Sequence, residues 1–278
     1  MNKKTLTSGL IVLASIFLLV TQPAAAAVCL VGECSAMTTE FRNLELRPKT
    51  IAILPPLSSL KEKGVFTSGD EVGETAQLEL SLTRELEKEL SSRGYKVRTL
   101  TSEEINGNPE LKTLLSNANQ RYDEEYERIA TFKVSGVKFR RFSVGEQGRL
   151  LARYLEVDAI AFPRMQAVGA SGAAMVFSPT GGGQINMEFA LVHARTGDIE
   201  AFFGAINQGG MFGKSLDSIL EKPDKHMAKI SKTATKKMPK VDEALKPEKL
   251  KEEPNELVLY DEVDEESVLG ELENLLDE

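Results

Sequence analysis

The residues with the most obvious chemical spacing are Gly209-Gly-Met-Phe-Gly213-Lys214-Ser215. A phosphate-binding loop needs a glycine, four residues and then Gly-Lys-Ser or Gly-Lys-Thr, because the intervening backbone amides wrap the phosphates. Position 208, where the first glycine would stand, is Gln208. We therefore interpret the segment as a flexible strand-to-helix turn and predict no nucleotide cofactor; an anion at the helix N-terminus is the remaining alternative.

No set of side chains has the spacing of a catalytic or metal centre. The two histidines, His193 and His226, are far apart and show no ligand spacing. His193 falls in register with apolar residues at the end of a predicted strand, where we expect a packed, hydrogen-bonded side chain. The carboxylates of Glu103-Glu104 and Asp123-Glu124-Glu125 lie in polar helical segments, which usually present a solvated face. We predict no catalytic residue, no metal and no cofactor, so an enzyme is the least favoured class.

The two cysteines, Cys29 and Cys34, directly follow a segment that has the features of an export signal. Residues 1–27 combine a basic start, an apolar run over Leu10–Val20 and the small residues Ala24–Ala27. The apolar run is shorter than the roughly 20 residues that a membrane span requires. We predict cleavage near Ala27 and a location in the periplasm or at the periplasmic face of the outer membrane.

Two roles are open to these cysteines in an oxidising compartment. Two cysteines in an exported chain suggest a Cys29–Cys34 disulfide. The alternative is a lipid anchor on Cys29, which would call for a small residue directly before the cysteine and a leucine three residues before it. Val28 precedes Cys29 and Glu33 precedes Cys34. We therefore predict the disulfide rather than the lipid anchor.

The negative charge of the chain is concentrated at its C-terminal end. The formal net charge of the whole chain is −8. Residues 241–278 alone contain 15 acidic and 3 basic residues, so the rest of the mature chain is close to neutral. A near-neutral body with few aromatic residues and no tryptophan gives no support for binding of nucleic acid.

The hydrophobic pattern predicts an α/β (α+β) domain over residues 49–238, preceded by a leader at 28–48. The clearest helix covers Glu74–Arg93, where Leu78, Leu82, Leu86 and Leu90 form one apolar stripe. The other predicted helices are one or two after Asn108-Pro109, one at 143–156 and one at 216–238 interrupted at Pro223. The predicted strands are 49–56, 95–100, 157–163, 184–193 and 199–206. This order implies a mixed β-sheet with helices packed on it.

Four segments of this domain resemble a known superfamily. Lys49–Pro56 is similar to the opening strand of the TolB amino-terminal domain, of the curli-secretion channel family and of the outer-membrane activators of penicillin-binding proteins. Leu86–Val97, Leu150–Phe162 and Leu191–Gly204 resemble their helix–Gly–strand unit, their helix leading into an Asp-led strand and their Thr-Gly-Asp hairpin. The resemblance covers Pro48 to Met238. It implies a non-enzymatic docking module that binds a periplasmic or outer-membrane assembly.

The resemblance also leaves a ring-forming secretion-channel subunit as an alternative function. The channel proteins form rings with long hairpins that cross the outer membrane. Met165–Phe189 is the candidate hairpin here, and its first arm is rich in Ala, Gly and Ser rather than alternating. We therefore favour an adaptor whose partners are other envelope proteins. Homo-oligomerisation and peripheral association with the outer membrane are further alternatives.

The charged tail, residues 239–278, contains a second candidate docking element. Pro239–Asn255 has the composition of a disordered linker. Residues 265–278 are predicted to form a short helix with five apolar residues on one face, which are Val268, Leu269, Leu272, Leu275 and Leu276. Such a face could bind in a partner's groove. The alternatives are an acidic tail that aids solubility, or a tail that folds back on Lys222–Lys240.

Overall fold

A computed structural model describes residues 33–63, 68–70, 72–131, 142–170, 184–208 and 219–245. The chain divides into two compact units, Met1–Leu245 and Lys246–Glu278, and the second lies outside the described residues. The described strands are β1 (Glu33–Met37), β2 (Thr50–Ile53), β3 (Leu57–Lys63), β4 (Ser68–Asp70), β5 (Lys96–Thr99), β6 (Ala159–Ala170), β7 (Gln184–His193) and β8 (Ile199–Gln208). The described helices are α1 (Thr39–Arg42), α2 (Val72–Ser92), α3 (Ser102–Asn106), α4 (Pro109–Thr131), α5 (Gly145–Leu155) and α6 (Pro223–Ala234).

The strands form one mixed sheet in the order β1-β8-β7-β6-β2-β5. Strand β6 is long enough to pair with two strands in succession: Ile51 of β2 lies opposite Ala159, and Leu57 of β3 lies opposite Arg164. Pro55-Pro56 separates β2 from β3, as expected of residues that cannot donate to a ladder. The pairs β2–β5, β2–β6 and β3–β6 are parallel, and β6–β7, β7–β8 and β8–β1 are antiparallel. The predicted fold class, a mixed sheet with packed helices, is confirmed.

Helices cover both faces of the sheet, so the core has two layers. On one face, α2 and α6 pack against the sheet, and the predicted leucine stripe of α2 is fully buried. On the other face, α4 and α5 bury apolar residues that include Tyr122 and Leu151. Since side chains alternate between faces along a strand, the central strands β6 and β7 are buried on both sides.

The predicted leader contributes to the domain rather than preceding it. Residues 33–37 form β1, which pairs with β8 so that Cys34 lies opposite Gly204. The following helix α1 buries Phe41 completely, against Phe203. The local pattern of β1 is weak because its strand conformation depends on pairing with β8, which the sequence of β1 does not show.

The C-terminal end of the domain also extends further than predicted. The N–H of Val241 donates to the carbonyl of Arg93 at 2.9 Å, and the Tyr95 hydroxyl donates to the carbonyl of Pro239 at 2.9 Å. Residues 239–245, predicted as the start of a linker, are therefore bound to the body. The predicted interruption at Pro223 is confirmed, since residues 219–220 are helical, 221–222 are not, and α6 then begins with Pro223. Proline is tolerated there because it lacks only an N–H that a helix start leaves unused.

Among the described residues, no helix is long and apolar enough to span a membrane.

Candidate functional site

A polar cluster interrupts the apolar face of the sheet beside the end of α4. Across the β6–β7 pair, Arg164 lies opposite Glu188 and Gln166 lies opposite Asn186. Strand β3 adds Ser59, opposite Gln166. These residues share one face because each is two positions from the next along its strand. They line a cavity of about 210 Å³ that Tyr126 also contacts.

The charged groups of this cluster are bound to one another. The hydroxyl of Tyr126 donates to Oε2 of Glu188 at 2.5 Å, in a fully buried contact. The guanidinium of Arg164 lies 4.0 Å from the centroid of the Tyr126 ring and donates to the carboxylate of Asp123. The guanidinium of Arg164 is therefore bound to two groups of the cluster, the ring of Tyr126 and the carboxylate of Asp123.

Burial keeps the phenols of the cluster protonated. It raises the pKa of Tyr126, and the neighbouring Glu188 carboxylate raises it further. Burial also raises the pKa of Tyr122, which stacks on Phe162 at a centroid distance of 4.7 Å. A protonated Tyr126 is a hydrogen-bond donor to the carboxylate, and it is a poor general base at neutral pH.

The acidic run Asp123-Glu124-Glu125 belongs partly to this cluster. Glu124 is exposed as predicted, but Glu125 is 1% exposed and accepts hydrogen bonds from Arg121 at 2.9 Å and Arg128 at 2.8 Å. The prediction of a solvated face is therefore wrong for Glu125. Positions 122, 125, 126 and 129 of a helix lie on one side, so the buried Tyr122 and Ile129 place Glu125 beside the core.

A second cavity, of about 390 Å³, lies where β2, β6 and β7 meet the α1–β2 connection. Asp158 accepts hydrogen bonds from the N–H groups of Lys49 at 3.0 Å and Thr50 at 2.9 Å. Burial alone would raise the pKa of Asp158, but these hydrogen bonds hold it below its usual range. The carboxylate thus connects the starts of two parallel strands, which is a structural role.

His193, on the wall of this second cavity, is hydrogen-bonded as predicted. Its Nδ1 accepts the N–H of Arg195 at 3.2 Å. Burial and the charge of Arg195 lower the pKa of His193, although Asp158 and Asp198 oppose the shift. The imidazole is therefore neutral at physiological pH and bound to its own turn.

The other residues singled out from the sequence are scattered or lie outside the described residues. Glu104 closes a capping box with Thr101 at the start of α3, and Glu103 is exposed in the same turn. His226 is buried in α6. Gly209–Ser215, Cys29 and the apolar residues Val268, Leu269, Leu272, Leu275 and Leu276 lie outside the described residues, so the Cys29–Cys34 disulfide and tail docking stay predictions. Within the described ranges, no three His, Cys, Asp or Glu side chains are placed to hold a metal.

The sequence of β7 contains a signal for the cluster that a search for catalytic spacing does not find. Along β7 the residues facing α4 are Gln184, Asn186, Glu188, Ala190 and Val192. Along this face the residues change from polar to apolar. The opposite face of the same strand is apolar and buried, with Ile185, Met187 and Phe189. Polar residues on such a strand indicate a buried hydrogen-bond network.

No protein-family model and no curated protein matches the chain. Among solved structures, the PelC dodecamer from Paraburkholderia phytofirmans superposes with a TM-score of 0.31 at 9% identity, over 70% of this chain and 94% of that chain. The lipoprotein GNA1162 from Neisseria meningitidis superposes with a TM-score of 0.28 at 15% identity, over 65% of this chain and 97% of that chain. Superpositions of this quality carry no argument about function, and the resemblance to the TolB and curli-channel families stays a prediction.

Proposed function

We propose that the protein is an exported, non-catalytic docking module of the bacterial cell envelope. It binds an extended segment of another envelope protein along the open edge of β1. The export signal predicted at residues 1–27 supports the compartment, and the two edges of the sheet support the mode of binding.

The strands at the two ends of the order β1-β8-β7-β6-β2-β5 differ in their protection against pairing. At one edge, β5 carries the exposed charged residues Lys96 and Arg98, which discourage a further strand from adding. At the other edge, β1 begins with the charged Glu33, but its remaining residues, Cys-Ser-Ala-Met at 34–37, carry no charge and are half-buried. Within the described residues β1 pairs only with β8. This edge, uncharged over residues 34–37, is the observation that carries the proposal, because an extended peptide adds to such an edge through main-chain hydrogen bonds.

The direction of the β1 amides identifies which groups are available. The N–H of Thr38 donates to the carbonyl of Glu200 in β8 at 2.8 Å. Since amides alternate in direction along an antiparallel strand, those of Cys34 and Ala36 also face β8. The N–H groups of Ser35 and Met37 then face away from the sheet, where a partner strand would bind.

The polar cluster supports a non-catalytic role. Each carboxylate discussed there has a donor: Glu188 has Tyr126, Asp123 has Arg164, and Glu125 has two arginines. Each of these carboxylates is thus engaged by a side chain of the domain itself. These contacts connect α4 to β6 and β7 and fix the packing of the helix on the sheet.

The test compares Ser35→Pro with Ser35→Ala in crosslinking pull-downs from envelope fractions. Proline at position 35 removes an outward N–H without removing a hydrogen bond to β8, and alanine keeps that N–H. We expect the partners that Ser35→Ala retains to be lost from Ser35→Pro, while both variants keep the melting temperature of the parent chain. Retention of every partner by Ser35→Pro would overturn docking at β1.

A deletion of residues 265–278 separates this edge from the tail as the docking element. Edge docking predicts that the deletion keeps the partners that Ser35→Pro loses. Loss of the partners in the deletion alone would place docking on Val268, Leu269, Leu272, Leu275 and Leu276 instead. The mass of the purified protein in detergent distinguishes a channel as well, because a large stable ring contradicts an adaptor.

A further inference from the structure

Helix α6 presents a straight row of lysines to solvent. The row is defined by Lys222, Lys225, Lys229, Lys232 and Lys236, and we call it the lysine row. All five residues are exposed. Lys225, Lys229 and Lys232 lie within α6, and their spacing of four and three residues keeps them on one side of the helix. Lys222 and Lys236 flank the two ends of α6.

The orientation of the lysine row is fixed by the opposite side of the helix. His226, Met227, Ile230 and Ala234 are buried against α2 and the sheet. The amphipathic pattern is therefore satisfied, and rotation of α6 would expose these residues. The ammonium groups are held on the outer surface of the domain.

The three lysines at the centre of the row have no carboxylate partner among the described residues. Across the residues that the structure describes, Lys225, Lys229 and Lys232 take part in no ion pair. Asp224, the acid within α6, is bound to Arg84 and to the hydroxyl of Ser81, the latter at 2.6 Å. Glu221 is the other acid of residues 219–240, which contain seven lysines, so this surface has a clear positive excess.

We propose that the lysine row binds the anionic headgroups of a phospholipid surface. The row lies on the outer side of a helix, so its charges can approach a flat surface more easily than a protein groove. It contains no arginine for paired recognition of one phosphate or carboxylate, and no aromatic or large apolar residue of the kind that anchors a protein interface. Each lysine ammonium near an anionic bilayer is attracted to it as a separate point charge.

Helix α6 packs beside β1, but this inference concerns lysine side chains, whereas docking at β1 concerns outward main-chain groups, so the two can be tested with different variants. Each lysine close to an anionic surface strengthens binding by about fivefold, so removal of three should weaken it by about 100-fold. The attraction should fall steeply with added salt, since ions screen exposed charges.

The experiment measures sedimentation of the mature full-length chain with phosphatidylcholine vesicles, with and without phosphatidylglycerol. The test variant is Lys225→Gln/Lys229→Gln/Lys232→Gln. The control, Lys49→Gln/Lys96→Gln/Lys112→Gln, removes the same charge from exposed lysines elsewhere on the domain. We expect the parent and the control to bind only vesicles that contain phosphatidylglycerol, and the test variant to lose that binding.

Three results would overturn the proposal. Binding to both kinds of vesicle would show that the headgroup charge is irrelevant. An equal loss in the control would show that net charge, not the row, matters. Absence of vesicle binding by the parent would contradict a lipid ligand. If partners in an envelope crosslinking experiment were then lost only from the test variant, the row would be assigned to an acidic protein. The Ser35→Pro variant should bind vesicles like the parent, which keeps this test separate from the proposed function.

Discussion

Nη1 of Arg47 donates to the main-chain oxygen of Lys240 at 2.6 Å, across 193 residues of sequence. The same guanidinium donates to the carbonyls of Glu243 at 2.8 Å, Phe41 at 3.0 Å and Arg42 at 3.1 Å. Arg47 is 2% exposed, and each of these partners is a backbone oxygen. This one side chain therefore connects the N-terminal α1 region to the chain that follows α6.

We expect Arg47→Lys to lower the free energy of unfolding by about 2 kcal/mol, because a single ammonium cannot reach carbonyls on both segments. Urea unfolding monitored by circular dichroism measures the loss. The matched control is Arg153→Lys, since Arg153 is exposed on α5 and should change stability little. Equal effects of the two substitutions would contradict the clamp described for Arg47.

The same substitution should cost different amounts of folding stability at two glycines with positive φ. Gly197 has φ +75°, and a Cβ there would overlap the carbonyl oxygen of Gly145. Gly145 has φ +62° with open space around its Cβ position. Gly145→Ala should cost about 1 kcal/mol of backbone strain, and Gly197→Ala at least about 3 kcal/mol because the clash with backbone is added. Thermal unfolding of the two variants ranks them, and the reverse order would show that the turn rearranges.

Removal of one hydroxyl tests the network that holds α4 on the sheet. Tyr126→Phe takes away the donor at 2.5 Å from Glu188, which is 3% exposed, so we expect a loss of about 1–3 kcal/mol in unfolding free energy. Tyr154→Phe is the control: its hydroxyl accepts from Asn108 at 2.6 Å in a half-buried place that water can reach. A smaller loss for Tyr126→Phe than for Tyr154→Phe would argue against a stabilising role for the cluster.

The elements that could be predicted from the sequence are those whose pattern is local. The leucine stripe of α2 repeats every four residues and is fully buried, and Gly94 follows that helix with φ +88°, a conformation that favours glycine. The edge strand β1 could not be found in this way. It becomes a strand only because Glu33–Met37 meets β8, about 170 residues later in the chain.

The polar cluster could be predicted only in part, because the polar residues of β7 indicate it but their partners lie on other elements. Glu188 stands between the apolar residues Met187 and Phe189, and alternation alone would place it in solvent. It is buried because β7 is a central strand with helices on both faces. Arg164 and Tyr126 approach it from β6 and α4, a long-range arrangement that no spacing in the sequence encodes.

The buried carboxyl of Glu200 should make the folding stability depend on pH. Its side chain is 7% exposed, and within the described residues its Oε2 has no hydrogen-bond partner. Burial raises the pKa of Glu200 from its usual 4.5 to about 7; Glu40 and Asp198 add to the rise, and Arg195 opposes it. Since the folded state holds this proton more tightly than the unfolded state, the contribution of Glu200 to stability is fully present below pH 4.5 and is lost as pH rises through about 7.

We therefore expect Glu200→Gln to flatten the fall in melting temperature between pH 5 and pH 7.5, because glutamine resembles the protonated acid and does not titrate. At pH 7.5 the variant should be more stable than the parent, whereas at pH 5 the two should be nearly equal. Glu103→Gln, at an exposed position of α3, serves as the control and should follow the parent at both pH values. If Glu200→Gln were equally destabilised at both pH values, the carboxylate would have to be charged and bound in the folded state, contrary to its buried position beside Glu40 and Asp198.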